Sequence, residues 1–299
     1  MTSKTYLIVG ATGKQGGAVV KALLKLSSNA PTPFSILALT RNAESEGAKS
    51  LAAKPNVKVI QGDPTEAETV FRKAGSVDGV FLITSPGKQG DEEKQALSVI
   101  DASINHGVKH IVFTSVERGG NEVSETNPTD IEHFASKHRI EKQLLDKTAN
   151  GKTMWTILRP VAFMDNLTPN FQGKGFAAMW AQIGSKPLQL ISSKDIGVFG
   201  AMALLEPEKY NGRVIGLAGD ELNFDQGLAV FKDATGKDMP QTWGFIGSGL
   251  KYMIKELGTM FAWFQTNGYG VDIQALRKEY PQLQDFKTWL KEDSGFSQQ

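Results

Sequence analysis

The chain has 299 residues, with 33 Lys plus Arg against 32 Asp plus Glu and a formal net charge of +1. That length buries enough surface for one large domain, or one with a smaller companion, without staples, and the balanced charge gives no field that would gather nucleic acid or an anionic membrane. Cysteine is absent, which excludes disulfides, thiolate catalysis and cysteine-type zinc sites, so any redox chemistry must come from a bound cofactor.

The first residues run straight into a strand pattern, with no basic segment followed by an apolar stretch and a cleavage site. No apolar run approaches the roughly 20 residues of a membrane-spanning helix. The expectation is a cytoplasmic protein, with the nucleus as a second compartment. Apolar runs then alternate with segments of helical period: Tyr6–Val9 and Gln15–Leu26; Ser35–Leu39; Val57–Gln61; Val80–Thr84 and Glu92–Asn105; His110–Thr114 and Glu132–Lys147; Met154–Leu158. Such alternation demands a parallel sheet with helices on both faces, an α/β doubly wound (Rossmann) fold. The runs LIV, ILAL, VFLI and IVF are continuously apolar and belong to central strands buried on both faces. The expected division is residues 1–160 as the dinucleotide-binding domain and 161–299 as a smaller mixed region, partly interleaved with the sheet and folded over the carboxyl ends of its strands. Gly and Pro spread through Asn166–Pro187 loosen the pattern there. Leu250–Asn267 reads as a partly buried helix, and Ser294–Gln299 as a frayed end.

The first strand leads directly into Gly10-Ala11-Thr12-Gly13-Lys14-Gln15-Gly16-Gly17 and then into a helical apolar face. This strand–turn–helix setting marks a phosphate-binding loop. Gly10 permits the tight turn, Gly13 lets backbone N–H groups approach a pyrophosphate, and Gly16 allows close packing of the helix, whose positive N-terminus faces the phosphates. The missing G-K-[ST] ending excludes a Walker loop. Cofactor choice is set at the end of the second strand, where an acid would bind a ribose 2′-hydroxyl. Here the residues are Thr40-Arg41-Asn42, with no Asp or Glu between Phe34 and Ala43. Arg41 offers a permanently charged fork for a 2′-phosphate, with Thr40, Asn42 and Lys14 as further donors, so NADP(H) is the expected cofactor. After the third strand, Gly62 and Asp63 suit adenine contacts, while Asp63-Pro64 equally suits a helix cap and first helical residue.

Taken in order, GATGKQGG, LTRN, QGDPTE, FTS, HFASKHRIE, LRPVAFMDN and PEKYNGRVIGLAG resemble the NmrA-like family of atypical short-chain dehydrogenases over nearly the whole chain. More distantly, the chain is similar to quinone- and isoflavone-reductase-like enzymes. The resemblance implies that Gly10, Ala11, Thr12, Gly13, Lys14 and Gln15 wrap the pyrophosphate and that Arg41 takes the 2′-phosphate. It further implies that Gly62 and Asp63 flank the adenine, and that Thr84, Ser85 and Pro86 line the adenosine and ribose. Lys137 would hold the nicotinamide ribose, and Ala162, Phe163, Met164 and Asp165 would close over the nicotinamide.

Short-chain dehydrogenases place a tyrosine four residues before the lysine, so that the ammonium lowers the phenol pKa. Here the tyrosines are Tyr6, Tyr210, Tyr252, Tyr269 and Tyr280, and His133 stands four before Lys137. His133 is either a proton donor beside the cofactor or a helix histidine that packs. Thr114 or Ser115 would be the seryl partner. His106, His110 and His138 make no ligand pattern with carboxylates, so no metal is expected. Asp130, Glu132 and Glu141 read as a solvated charged face, and Phe163, Met164, Trp180, Phe261, Trp263 and Phe264 as pocket lining or core. Two function classes remain. One is an NADPH-dependent reductase of a small conjugated or carbonyl substrate, quinone-like in class. The other is a non-catalytic NADP(H) redox sensor or regulator acting on a protein partner.

Overall fold

The structure is a computed structural model, and it describes residues 3–27, 32–85, 87–240, 259–260 and 262–296. Pro86, Tyr252, Phe261 and most of Leu250–Asn267 lie outside the described residues. Two compact units are formed. The first comprises Met1–Val116, Ser136–Arg159 and Lys194–Ile215; the second comprises Glu117–Ala135, Pro160–Ser193 and Gly216–Gln299.

In the first unit the chain runs β1 (Lys4–Ile8), α1 (Lys14–Leu26), β2 (Phe34–Thr40), α2 (Glu46–Ala52), β3 (Val57–Gln61), α3 (Ala67–Ala74), β4 (Gly79–Leu82), α4 (Asp91–Asn105) and β5 (His110–Thr114). After α5 (Asn121–Thr126) come α6 (Glu132–Thr148) and β6 (Met154–Pro160). Later the chain adds β7 (Ala162–Phe163), α7 (Phe171–Ile183), β8 (Leu188–Ile191), α8 (Ser193–Leu205), α9 (Pro207–Tyr210), β9 (Arg213–Leu217), β10 (Asp220–Leu222) and α10 (Phe224–Thr235). The main sheet has seven strands in the order β3-β2-β1-β4-β5-β6-β9. Every pairing from β3 through β6 is parallel, with Leu7 opposite both Leu37 and Val80, and Val80 opposite Ile111. The apolar runs sit where continuous burial requires them: β4 and β5 are buried throughout, whereas the edge strand β3 buries only Ile60. Leu7, Val9, Leu39, Val80, Leu82, Ile111 and Phe113 join Phe71, Ile100 and Leu144 of the helices in one core cluster. Burying a Leu, Val or Phe of this kind stabilises the fold by about 1.5–3 kcal/mol each.

Chain order reverses between β1 and β4, and the crevice outside the carboxyl ends of the strands at such a reversal is where doubly wound sheets bind ligands. β4 ends at Leu82, two residues earlier than its apolar run suggests, which leaves Ile83, Thr84 and Ser85 as loop at that crevice.

The second unit carries a mixed sheet, with β10 antiparallel and β7 parallel to β8. The expected looseness of Asn166–Pro187 is not found, because Phe171–Ile183 is a regular helix capped by the Asn170 side chain on the N–H groups of Gln172 and Gly173. Its Gly173 is there for close approach, since a Cβ would overlap the Thr168 backbone. Ser294 and Phe296 are buried, so the chain is held at least to residue 296 rather than frayed from 294. Met164, Trp180, Trp263 and Phe264 are core side chains, with Trp180 set edge-on to Phe224 and Phe286.

Candidate functional site

The glycine turn follows β1 and is anchored on both sides. Val9 N–H donates to the Phe81 carbonyl of β4 and Ala11 N–H to the Leu39 carbonyl of β2, at 3.0 and 3.2 Å. Gly10 has φ +65°, where a side chain is strained, and a Cβ there would stand 2.9 Å from Ile83 Cγ2. A Cβ on Gly13 would crowd the Gly10 carbonyl at 3.3 Å, and one on Gly16 would overlap that same carbonyl. Gly16 therefore packs the helix against its own turn. Helix α1 starts after Gly13 with no side-chain cap and no acidic residue in its first turn. Its N-terminal N–H groups and the positive end of its dipole suit an anion.

A cleft of about 570 Å³ opens over this turn, lined by Gly10, Thr12 and Gly13, by Thr40, Arg41, Asn42 and Ser45, by Gly62, Asp63, Pro64 and Thr65, and by Ile83, Ser85, Asp91, Lys94 and Gln95. It thus gathers the carboxyl ends of β1, β2, β3 and β4. Gly10, Thr12, Gly13, Arg41, Gly62, Asp63 and Ser85 come together here from the expected site. Ala11 and Gly16 are buried beneath the turn. Lys14 is exposed at its edge, and Gln15 turns inward to accept the Thr114 hydroxyl proton at 2.7 Å.

The Arg41 turn is braced locally. Thr40 Oγ1 accepts from Asn42 N–H at 3.3 Å, and Asn42 Oδ1 accepts from Glu44 N–H at 3.0 Å. The guanidinium of Arg41 is exposed and makes no hydrogen bond or ion pair with any described residue. Asp63 caps the short turn Pro64–Glu66, taking the Thr65 N–H at 2.8 Å and its hydroxyl at 2.7 Å. These bonds, and then the charge of Arg41, hold its carboxyl below the usual carboxylate range. Gly62 is required because a Cβ would overlap Val70 of α3. The α4 residues Asp91, Lys94 and Gln95 were not singled out from the sequence. The signal for them is topological: α4 follows the strand at the order reversal, so its first turns flank the crevice. Gln95 pins the loop there, accepting Ser85 N–H at 3.0 Å and donating to its carbonyl at 3.1 Å.

Deeper in the same unit, Lys137 on α6 is 4% exposed. Its ammonium donates to Thr84 Oγ1 and lies 3.2 Å from Glu92 Oε1 of α4, while the Thr84 hydroxyl donates to the same oxygen at 2.9 Å. Burial holds the Lys137 ammonium below the ordinary lysine range, against the upward pull of Glu92. Glu141 is not on a solvated face: it is 2% exposed and bound by Arg159 through Nε at 3.0 Å and NH2 at 2.7 Å. It also takes the Ser115 hydroxyl, which ties that serine into the buried pair. The expectation failed because α6 is covered on the side where Glu141 stands, which residue type alone does not reveal. Asp130 and Glu132 are exposed.

In the second unit, His133 is half-buried beside the Phe134 ring, 6.1 Å between centroids. Ala162 and Phe163 form β7, and Met164 is fully buried. Asp165 accepts Ser193 N–H at 2.7 Å and its hydroxyl at 2.5 Å.

Comparison with known proteins accords with this architecture. The NmrA-like oxidoreductase FrzB of Cladobotryum sp. is 28% identical over 297 residues, covering 87% of this chain and 84% of its own. The NADPH-dependent quinone oxidoreductase QOR2 of Escherichia coli, solved with NADPH, superposes with a TM-score of 0.67 at 23% identity, over 92% of this chain and 93% of its own. NmrA, a negative transcriptional regulator solved with NADP, gives a TM-score of 0.70 at 16% identity, over 98% and 96%. The profile of the NmrA-like family matches residues 2–290, and the chain belongs to that family.

Proposed function

We propose that this chain is an NADPH-dependent reductase of a small conjugated or carbonyl compound, quinone-like in class. The observation that carries the reading is the cleft over the glycine turn, where Arg41 makes no hydrogen bond or ion pair with any described residue and the end of β2 presents no carboxylate. The glycines form a cradle that a Cβ would fill, and the residues present fit a dinucleotide with a 2′-phosphate. When bound, NADPH supplies the hydride. The chain's own part is to orient the cofactor: the α1 N-terminus would take the pyrophosphate, Arg41 the 2′-phosphate with Lys94 of the same cleft as a second cation, and Lys137 the nicotinamide ribose. His133 and Lys137 are the groups offered for proton delivery, at the imidazole and ammonium nitrogens. Likeness to an oxidoreductase by sequence and to a quinone oxidoreductase by fold supports the reading.

A panel of quinones, enones and aldehydes, followed by loss of NADPH absorbance, tests it. Turnover of at least one class above the cofactor background is expected, and none above background would overturn it. A redox-sensor reading is favoured by His133 standing where the dehydrogenase tyrosine would be. It requires that a protein partner distinguish NADP+ from NADPH, since a ligand shifts an equilibrium only by its differential affinity.

A further inference from the structure

Around Lys137 the first unit encloses four charged side chains: Glu92, Lys137, Glu141 and Arg159, none more than 7% exposed. They do not pair interchangeably. Both Glu141 oxygens are taken by Arg159, and Oε1 also receives the Ser115 hydroxyl. Glu141 therefore faces Lys137 only as a more distant charge. Thr84 of the β4 loop touches the ammonium but brings no charge, and the Phe113 ring of β5 lies 5.6 Å beneath it. Among the described residues Glu92 is the one carboxylate within bonding reach of Lys137.

We propose that Glu92 is the positioning residue of Lys137, holding its ammonium charged and aimed with Thr84 so that the cofactor meets a pre-set cation. This rests on the reading above that Lys137 holds the nicotinamide ribose. An ammonium withdrawn from water loses its proton readily unless an opposite charge compensates it, and a carboxylate at this distance raises the protonated form by about one to three pH units. The arrangement crosses two elements. Glu92 lies in the first turn of α4 and Lys137 in the second turn of α6, and Thr84 between them accepts from one and donates to the other. The Thr84 hydroxyl, with its single proton given to Glu92, is left to accept from the ammonium. The triad is therefore consistent with a charged lysine facing an ionised glutamate.

Glu92→Gln keeps the shape and one acceptor while removing the charge. The titration of Lys137, read by NMR of its side-chain ε-carbon in the full chain without cofactor, should move down by about one to three pH units. The alkaline loss of NADPH binding, read by fluorescence, should move down with it, giving about a tenfold weaker complex than wild type near the lower edge of that window. Glu93→Gln, on the exposed pair with Arg139, should move neither. Should Glu92→Gln fold poorly, Glu92→Asp retains the charge at a shorter reach and should give a smaller displacement in the same direction. An unmoved Lys137 titration in both variants overturns the proposal, and so does weakening that is equal at every pH, the mark of a merely structural role. If the titration moves but NADPH binding does not follow, the role given to Glu92 is overturned as it concerns the cofactor. Lys137→Met then identifies the source: binding equal to wild type in that variant places the failure in the ribose assignment and not in the Glu92–Lys137 pair.

Discussion

At the scale of single residues, charge and burial decide what a side chain can do. Arg41 is exposed on the cleft and makes no hydrogen bond or ion pair with any described residue, so its guanidinium is held in reserve rather than spent on the fold. Arg41→Ala should weaken NADPH binding by about 1.5–3 kcal/mol, the worth of a hydrogen bond to a charged group, and leave NADH binding nearly unchanged. Titrating both cofactors against the variant checks this, and equal losses would remove Arg41 from the 2′-phosphate site. His110 is the opposite case. It is 2% exposed, and its Nε2–H donates to Thr156 Oγ1 at 2.8 Å, because that hydroxyl gives its own proton to the Tyr210 carbonyl. Burial pushes its pKa down to about 4, below the ordinary value of about 6.5. Between those values the unfolded chain binds a proton that the folded chain refuses. The stability is thus present above about pH 6.5 and is lost as pH falls towards 4, a change of roughly 3 kcal/mol over the window. Urea midpoints measured across it should fall less steeply for His110→Gln than for wild type.

At the scale of elements, the glycine turn and α1 act as one part. Gly16 could be read from its spacing as a packing glycine, but the surface it approaches is the Gly10 carbonyl, and that is a matter of how the turn folds back on its helix. Gly16→Ala must displace the turn or the helix, so a stability loss of about 1–3 kcal/mol is expected from overpacking, together with weakened NADPH binding. Thermal unfolding and cofactor titration of the same variant separate the two effects. Wild-type stability with weak binding would mean that the turn moves without cost to the core. The adjoining α4 carries a part of the site that no local pattern marks. Its amphipathic period marked a helix, while the placement of Asp91, Lys94 and Gln95 on the cleft depends on β4 lying next to β1 in the sheet. The alternatives open for Asp63 also met here, since it caps its turn and lines the cleft.

At the scale of the whole molecule, the first unit is assembled from three separated segments. Lys194–Ile215 contributes α8, whose Ile196, Phe199, Ala201 and Leu204 are buried. Gly197 of α8 meets Ala18 of α1 so closely that a Cβ would overlap it, and Gly200 meets Phe81 and Val19 in the same way. A chain cut after residue 160 loses this helix and β9. It should therefore expose apolar surface and fail to fold cooperatively, which solubility and a denaturant titration of the 1–160 fragment will show; a soluble fragment with a sharp transition would contradict it.

The sequence by itself determined the strands β1 to β6, apart from their exact ends, together with the doubly wound class, the glycine loop and the arginine at the end of β2. These follow from local period, from continuous apolar runs and from residue type, which act over a few neighbours in the chain. Only the tertiary structure decided that Glu141 belongs to a buried pair with Arg159, that Lys137 answers to Glu92 through Thr84, and that α8 closes the first unit. Each of these joins residues remote in sequence, and a charged side chain carries no local mark of whether water or another charge will meet it.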